Sequence, residues 1–122
     1  MGRPTLTDLL GIVASPSDRV RGLLLLGLSP ATVAATTRSS TSTIRNWTTG
    51  ATRPRGDAEQ IIDDLRAVAL ALVDADIEPA VAARWLTSRN PKRFDGMRPV
   101  ELVPSDPLDV LAAAQEFVLG LT

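Results

Sequence analysis

The 122-residue chain contains no cysteine and no histidine. Without cysteine, nothing in the fold can depend on a disulfide or a thiolate metal site, which suits a reducing compartment. Without histidine, the commonest metal ligand and the usual neutral-pH proton carrier are both missing. Catalysis would fall to carboxylates, arginines and hydroxyls alone. Aromatics are scarce too, with two Trp and two Phe. The most apolar stretch, Gly22 to Leu28, is far too short to cross a bilayer. Met1 to Ser15 lacks the basic start and long apolar run of an export signal, so a cytoplasmic location with no membrane partner is expected. What remains is ordinary globular composition, 44% hydrophobic and 22% charged, enough for one compact domain or two small ones sharing a core.

Net charge is only −1, but its distribution is uneven. Arg19 to Gly56 holds six arginines (19, 21, 38, 45, 53 and 55) and no acid, whereas Asp57 onwards holds twelve acids against six bases. A basic N-terminal face and an acidic remainder suggest two different partners.

No apolar run alternates with polar residues, so strands are not expected and the fold class is all-α. Ser15-Pro16, Ser29-Pro30, Glu78-Pro79 and Asp106-Pro107 each offer a helix N-cap followed by proline, whose missing N–H costs nothing at the first helical position. Asp57 with Gln60 reads as a capping box. Helices are expected over 5–14, 16–27, 30–37, 41–49, 57–75, 79–88, 99–103 and 107–120. In the longest, Ile61, Leu65, Val68 and Leu72 form a core-facing stripe. The implied organisation is a helix-turn-helix unit over 1–56 joined to a small helical unit over 57–122.

The stretch from Leu28 to Arg55 carries the first candidate site. Ala34 is small enough for two short helices to cross, with Val33 beside it, and Ile44 and Trp47 would point inward. Ser42, Arg45, Asn46 and Thr49 then share the outward face. Arginine can grip guanine O6 and N7, and asparagine can pair with adenine N6 and N7. Thr41 and the dense run of hydroxyls around it (Thr36, Thr37, Ser39, Ser40, Thr43, Thr48) could cap helices or touch phosphates, and Arg53 and Arg55 would flank them. The order Gly27-Leu28-Ser29, Val33-Ala34, Ser40, Thr43-Ile44, Trp47, Gly50 and Pro54-Arg55 resembles the DNA-binding domain of Xre-type (Cro/repressor-like) regulators. Two positions depart from that pattern. The turn glycine is Arg38, where a left-handed residue costs about 1–2 kcal/mol, and the following apolar position is Ser39.

The second candidate lies towards the C-terminus. Asn90-Pro91 and Asp95-Gly96 force turns, and Trp85 with Phe94 uses half of the chain's aromatics on one local core. The order Trp85-Leu86, Asn90-Pro91, Phe94, Gly96, Arg98-Pro99, Glu101-Leu102 and Asp106-Pro107 resembles the MbcA/ParS/Xre antitoxin family, whose members pair this domain with an Xre-type helix-turn-helix. The resemblance implies a type II antitoxin that blocks a RES-domain toxin, an NAD⁺-destroying enzyme, and represses its own operon as a homodimer on operator DNA. It also implies that the C-terminal end approaches the toxin's cleft, making Phe117, Leu119, Leu121 and Thr122 the candidates. The competing reading is that Leu111, Val118 and Leu121 pack on this protein's own core, and core packing is the favoured role of Phe117 and Val118.

Asp63-Asp64 and the Asp74, Asp76, Glu78 group lack the spacing of a metal loop and read as solvated surface. No phosphate-cradling glycine motif or nucleophile–base arrangement is present. An enzyme, a cofactor, a metal site and a small-molecule substrate are therefore not expected.

Overall fold

The computed structural model describes residue 2 and residues 4–90 and 93–121. It is all-helical, with no strand among the described residues. In chain order the helices are α1 (Leu6–Leu9), α2 (Pro16–Leu26), α3 (Pro30–Thr37), α4 (Thr41–Thr49), α5 (Asp57–Asp74), α6 (Pro79–Thr87), α7 (Pro99–Leu102) and α8 (Pro107–Gly120), with a 3₁₀ turn at Phe94–Gly96 before α7.

Serine and aspartate caps set most of these starts. The Ser15, Ser29 and Asp106 side chains accept from the N–H groups of Asp18, Thr32 and Asp109, and proline opens each helix. Two expected caps are absent. Gly56, at φ 57°, is the N-cap of α5 and no side chain caps it. Asp57 instead starts the helix, where its charge favours the dipole, and Gln60 donates to Asp64. Glu78 likewise makes no capping bond.

The first expected helix, 5–14, is cut to α1. A Thr5/Asp8 capping box starts it, and the chain turns at Leu10 and Gly11. Gly11 is a poor helix former, and beyond it Ile12 and Val13 are 77% and 94% exposed, so no apolar face continues. Leu9 and Leu10 are nonetheless buried, seated against α2 at Gly22. A Cβ there would fall 2.9 Å from Leu10 Cδ2 and 3.0 Å from Leu9 Cβ.

The centre of the molecule is α5, which packs on α2 and α8 and also touches α1, α3 and α6. The expected stripe of Ile61, Leu65, Val68 and Leu72 is buried, and so are Ile62 and Ala69, because α5 has neighbours on more than one side. One continuous core runs from Leu10, Val20 and Leu23 through α5 to Leu86, Val103 and Val110. Packing therefore does not pause at the 56/57 boundary.

Asp63 is no solvated bystander. Its Oδ1 accepts from Arg19 Nη1 at 3.0 Å and from Arg66 Nε at 2.8 Å. The same two arginines hold the turn after α1, Arg19 through Ile12 O (2.6 Å) and Arg66 through Leu10 O (3.4 Å). Substituting Asp63 by Asn leaves two facing guanidinium groups without their shared counter-charge. The side chain is 36% exposed, so the cost falls short of a fully buried pair, at about 1–3 kcal/mol. Urea unfolding of Asp63→Asn checks this; a midpoint unchanged from the parent protein would show that the ion pairs contribute nothing.

Candidate nucleic-acid interface

The segment α3–turn–α4 closes in the geometry its sequence outlines. Arg38 adopts the left-handed conformation (φ 58°, ψ 41°) that a glycine would take at this place. The Ser39 N–H donates to Ala34 O at 2.8 Å and the Arg38 N–H to Ala35 O at 3.3 Å, the paired bonds of a Schellman motif. That motif sets an apolar contact between the positions of Ser39 and Ala34. Ser39 offers little to such a contact, which explains why the position invites a hydrophobe. The turn thus keeps its shape and carries strain. Replacing Arg38 by glycine removes the left-handed penalty of about 1–2 kcal/mol and adds unfolded-state entropy of about 0.5–1 kcal/mol. Arg38→Gly is expected to stabilise the fold by roughly 0.5–1 kcal/mol, read as a rise in Tm; a fall would mean that the arginine side chain makes a contact outweighing its strain.

Helix α4 starts at Ser40, whose Oγ accepts from the Thr43 N–H at 3.1 Å. Ala34, Ile44 and Trp47 are buried and hold the crossing, as expected of them. Thr41, Ser42, Arg45, Asn46 and Thr49 are exposed together on the opposite side. The C-terminal end of α4 is fixed by α2: Arg21 Nη1 (2.6 Å) and Ser17 Oγ (3.1 Å) both donate to Thr48 O. A cation at this helix end also suits the dipole. Beyond the helix, the Thr52 N–H donates to Asn46 O, and Pro54 is buried between exposed Arg53 and Arg55.

Two parts of the expected interface need correction. Of the six arginines in the basic stretch, Arg19 and Arg21 are structural, pairing with Asp63 and Asp18. The guanidinium groups of Arg38, Arg45, Arg53 and Arg55 make no hydrogen bond or ion pair among the described residues, and they carry the free positive charge. Most hydroxyls are also committed. Thr36 and Thr37 are buried and donate to Thr32 O and Val33 O, and Thr48 donates to Arg45 O. Thr49 spends its proton on Asn46 O at 3.2 Å, so it has none left for a phosphate oxygen. Such back-bonding to the preceding turn is a standing habit of Ser and Thr in helices. Only Thr41 and Ser42 keep hydroxyls without a partner on the exposed face.

The C-terminal motif residues meet around α6 and α8. The rings of Trp85 and Phe117 lie 5.8 Å apart, and Trp85, Phe94 and Phe117 all pack on the core. Arg93 bonds Asp109 and Glu116, both at 2.6 Å, and stacks 5.5 Å from the Phe94 ring centre. The Asp109 hydrogen bond, seconded by Glu116, pushes the Arg93 guanidinium above its ordinary pKa. Phe94 and Asp95 both take positive φ (62° and 52°), and Gly96 follows at 78°. Asn90 is tied across the loop by its N–H to Met97 O, and Pro99 is buried.

Of the expected toxin-facing set, Phe117 is half-buried, with its ring 5.8 Å from that of Trp85. Val118 is also packed on the core. Leu119 (71%) and Leu121 (58%) remain exposed. Pro91 and Thr122 lie outside the described residues. Among the described residues no group of acidic side chains is arranged to hold a metal.

Comparisons with family models, with curated proteins and with solved structures find no match.

Proposed function

We propose that this chain is a type II antitoxin that reads operator DNA with α4 and inhibits a RES-domain toxin through its C-terminal half. The observation that carries the DNA reading is the outward face of α4. Ser42, Arg45 and Asn46 stand exposed on a helix locked from behind by Ile44 and Trp47, with unpaired Arg53 and Arg55 just beyond its end. Inserted into a major groove, such a helix offers bidentate donors to guanine and adenine, while the flanking arginines neutralise phosphates. Paired half-sites would require a homodimer.

The toxin-binding half rests on the resemblance of Trp85 to Pro107 and is supported by the two exposed leucines ending α8, Leu119 and Leu121. Its acidic charge suits an electropositive cleft. A second reading, a stand-alone repressor, is favoured by the packing of Phe117 and Val118 inside this fold, which leaves less of the end for a partner.

A mobility-shift titration with the promoter upstream of the chain's own gene tests the DNA half. Arg53→Ala is expected to weaken binding equally on all sequences and to lower the salt slope by about one unit. Absence of any salt-sensitive shift would reduce α3–α4 to scaffolding. Co-expression with a RES-domain toxin tests the other half. The expected result is a stable complex and restored growth; a toxin still active in the complex, or no complex, leaves the repressor reading in its place.

A further inference from the structure

A groove of about 590 Å³ runs between α3 and α7, where the helix-turn-helix meets the C-terminal half. Its apolar lining comes from Ala35, Val100 and Pro104, and two arginines, Arg38 and Arg98, stand in its wall. The volume falls within the range of small-ligand sites.

Its side-chain donors divide sharply. The hydroxyls of Thr36, Thr87 and Ser105 each already donate to a carbonyl of their own helix or turn. Thr32 also lines the groove and shares one hydroxyl–hydroxyl bond with Ser29 at 2.9 Å, and the guanidinium groups retain unspent protons. Arg98 uses one nitrogen on Glu101 at 3.2 Å, which leaves its other N–H groups available. Arg38 has no partner, although Asp57 and Asp64 line the adjoining groove beside it. Counting Glu101, the lining carries a net positive charge. Arg38 is also held in a strained conformation at a turn where glycine would be easier. An unpaired arginine at a strained turn, lining the same groove as a second arginine and three apolar residues, supplies charged donors of the kind that bind an oxyanion.

The geometry points to a binding site for a small organic anion, bearing a carboxylate or phosphate, in the α3–α7 groove with Arg38 and Arg98 as its clamp. The oxyanion would sit between the guanidinium groups and its carbon skeleton on Val100 and Pro104. A ligand there would bridge the DNA-facing unit to the C-terminal half. The site does not depend on the DNA or toxin reading, because it is complete in the free chain.

The test is titration of the full-length protein with succinate and, separately, inorganic phosphate, against chloride at matched ionic strength, followed by backbone NMR shifts and Tm. Saturable shifts confined to α3, the Arg38 turn and α7 are expected with at least one of the two anions, together with a rise in Tm. Arg38→Gly keeps the turn, and Arg98→Gln removes the charge while leaving a shorter polar side chain. Each is expected to raise the half-saturating concentration about tenfold or more. Saturation by succinate alone assigns a carboxylate ligand, and by phosphate alone a phosphorylated one. No saturable response to either anion, or responses that Arg38→Gly and Arg98→Gln leave unchanged, would overturn the site.

Discussion

Trp47→Ala is expected to lower the stability of the whole protein by about 3–5 kcal/mol. Trp47 is 5% exposed and belongs to the core cluster that also holds Val33, Ile44, Leu23 and the inner face of α5. Truncation removes the largest side chain behind α4 and leaves a void that a helix pinned at Ser40 and at Thr48 cannot collapse to fill. Total stabilities of small domains are of the order of 5–15 kcal/mol, so the loss is a large fraction. Because the core is continuous through α5, unfolding should remain a single transition at a lower urea concentration. Circular dichroism and the fluorescence of the remaining Trp85 should report that transition together. Separate transitions for the two probes would show that the halves fold independently. A loss below about 1 kcal/mol would mean that the indole is not packed as a core residue.

The second large effect concerns the outward face of α4, which is proposed to read DNA. Each bidentate base contact contributes about 1–3 kcal/mol of discrimination. Arg45→Ala with Asn46→Ala is therefore expected to cost roughly 30-fold or more in affinity for the operator. The two residues are neighbours, so their effects need not add. Both side chains are exposed, and the carbonyl of Asn46 that ties Thr52 back to α4 belongs to the main chain and survives. Stability should change by no more than about 0.5 kcal/mol. Competition with non-specific DNA separates the outcomes. A loss confined to the operator supports base reading by α4, whereas an equal loss on every sequence, or less than threefold on the operator, refutes it.

Much of the framework was legible from local chemistry. The limits of α3, α4 and α8 follow from Ser29-Pro30, Ser40 and Asp106-Pro107 at their starts, and from a left-handed residue after Thr37 and after Thr49. These are short-range signals: a side-chain oxygen reaching an N–H three residues on, and a ring that presets φ. The inward pair Ile44 and Trp47 and the outward set around Arg45 follow from helical periodicity alone. The truncation of α1 was less legible, because Leu6, Leu9 and Leu10 suggest a longer amphipathic helix. What ends it is Gly11, together with the lack of any surface for Ile12 and Val13 to pack against.

By itself, then, the order of residues determined that the chain is helical, where most helices begin, and which face of α4 turns outward, since caps, prolines and periodicity act within one or two turns. Tertiary structure alone decided which distant partners several of the charged side chains meet. Arg19 and Arg21 look like Arg45 in sequence, but folding brings Asp63 and Thr48 O to them and leaves Arg45 bare. Phe117 looks like a tail residue until α6 places Trp85 against it. Arg38 and Arg98, sixty positions apart, come to share one groove only because folding brings residues of α3 and α7 to its two sides. Ion pairs, ring contacts and grooves join residues far apart in the chain, and no local pattern records which partner will arrive.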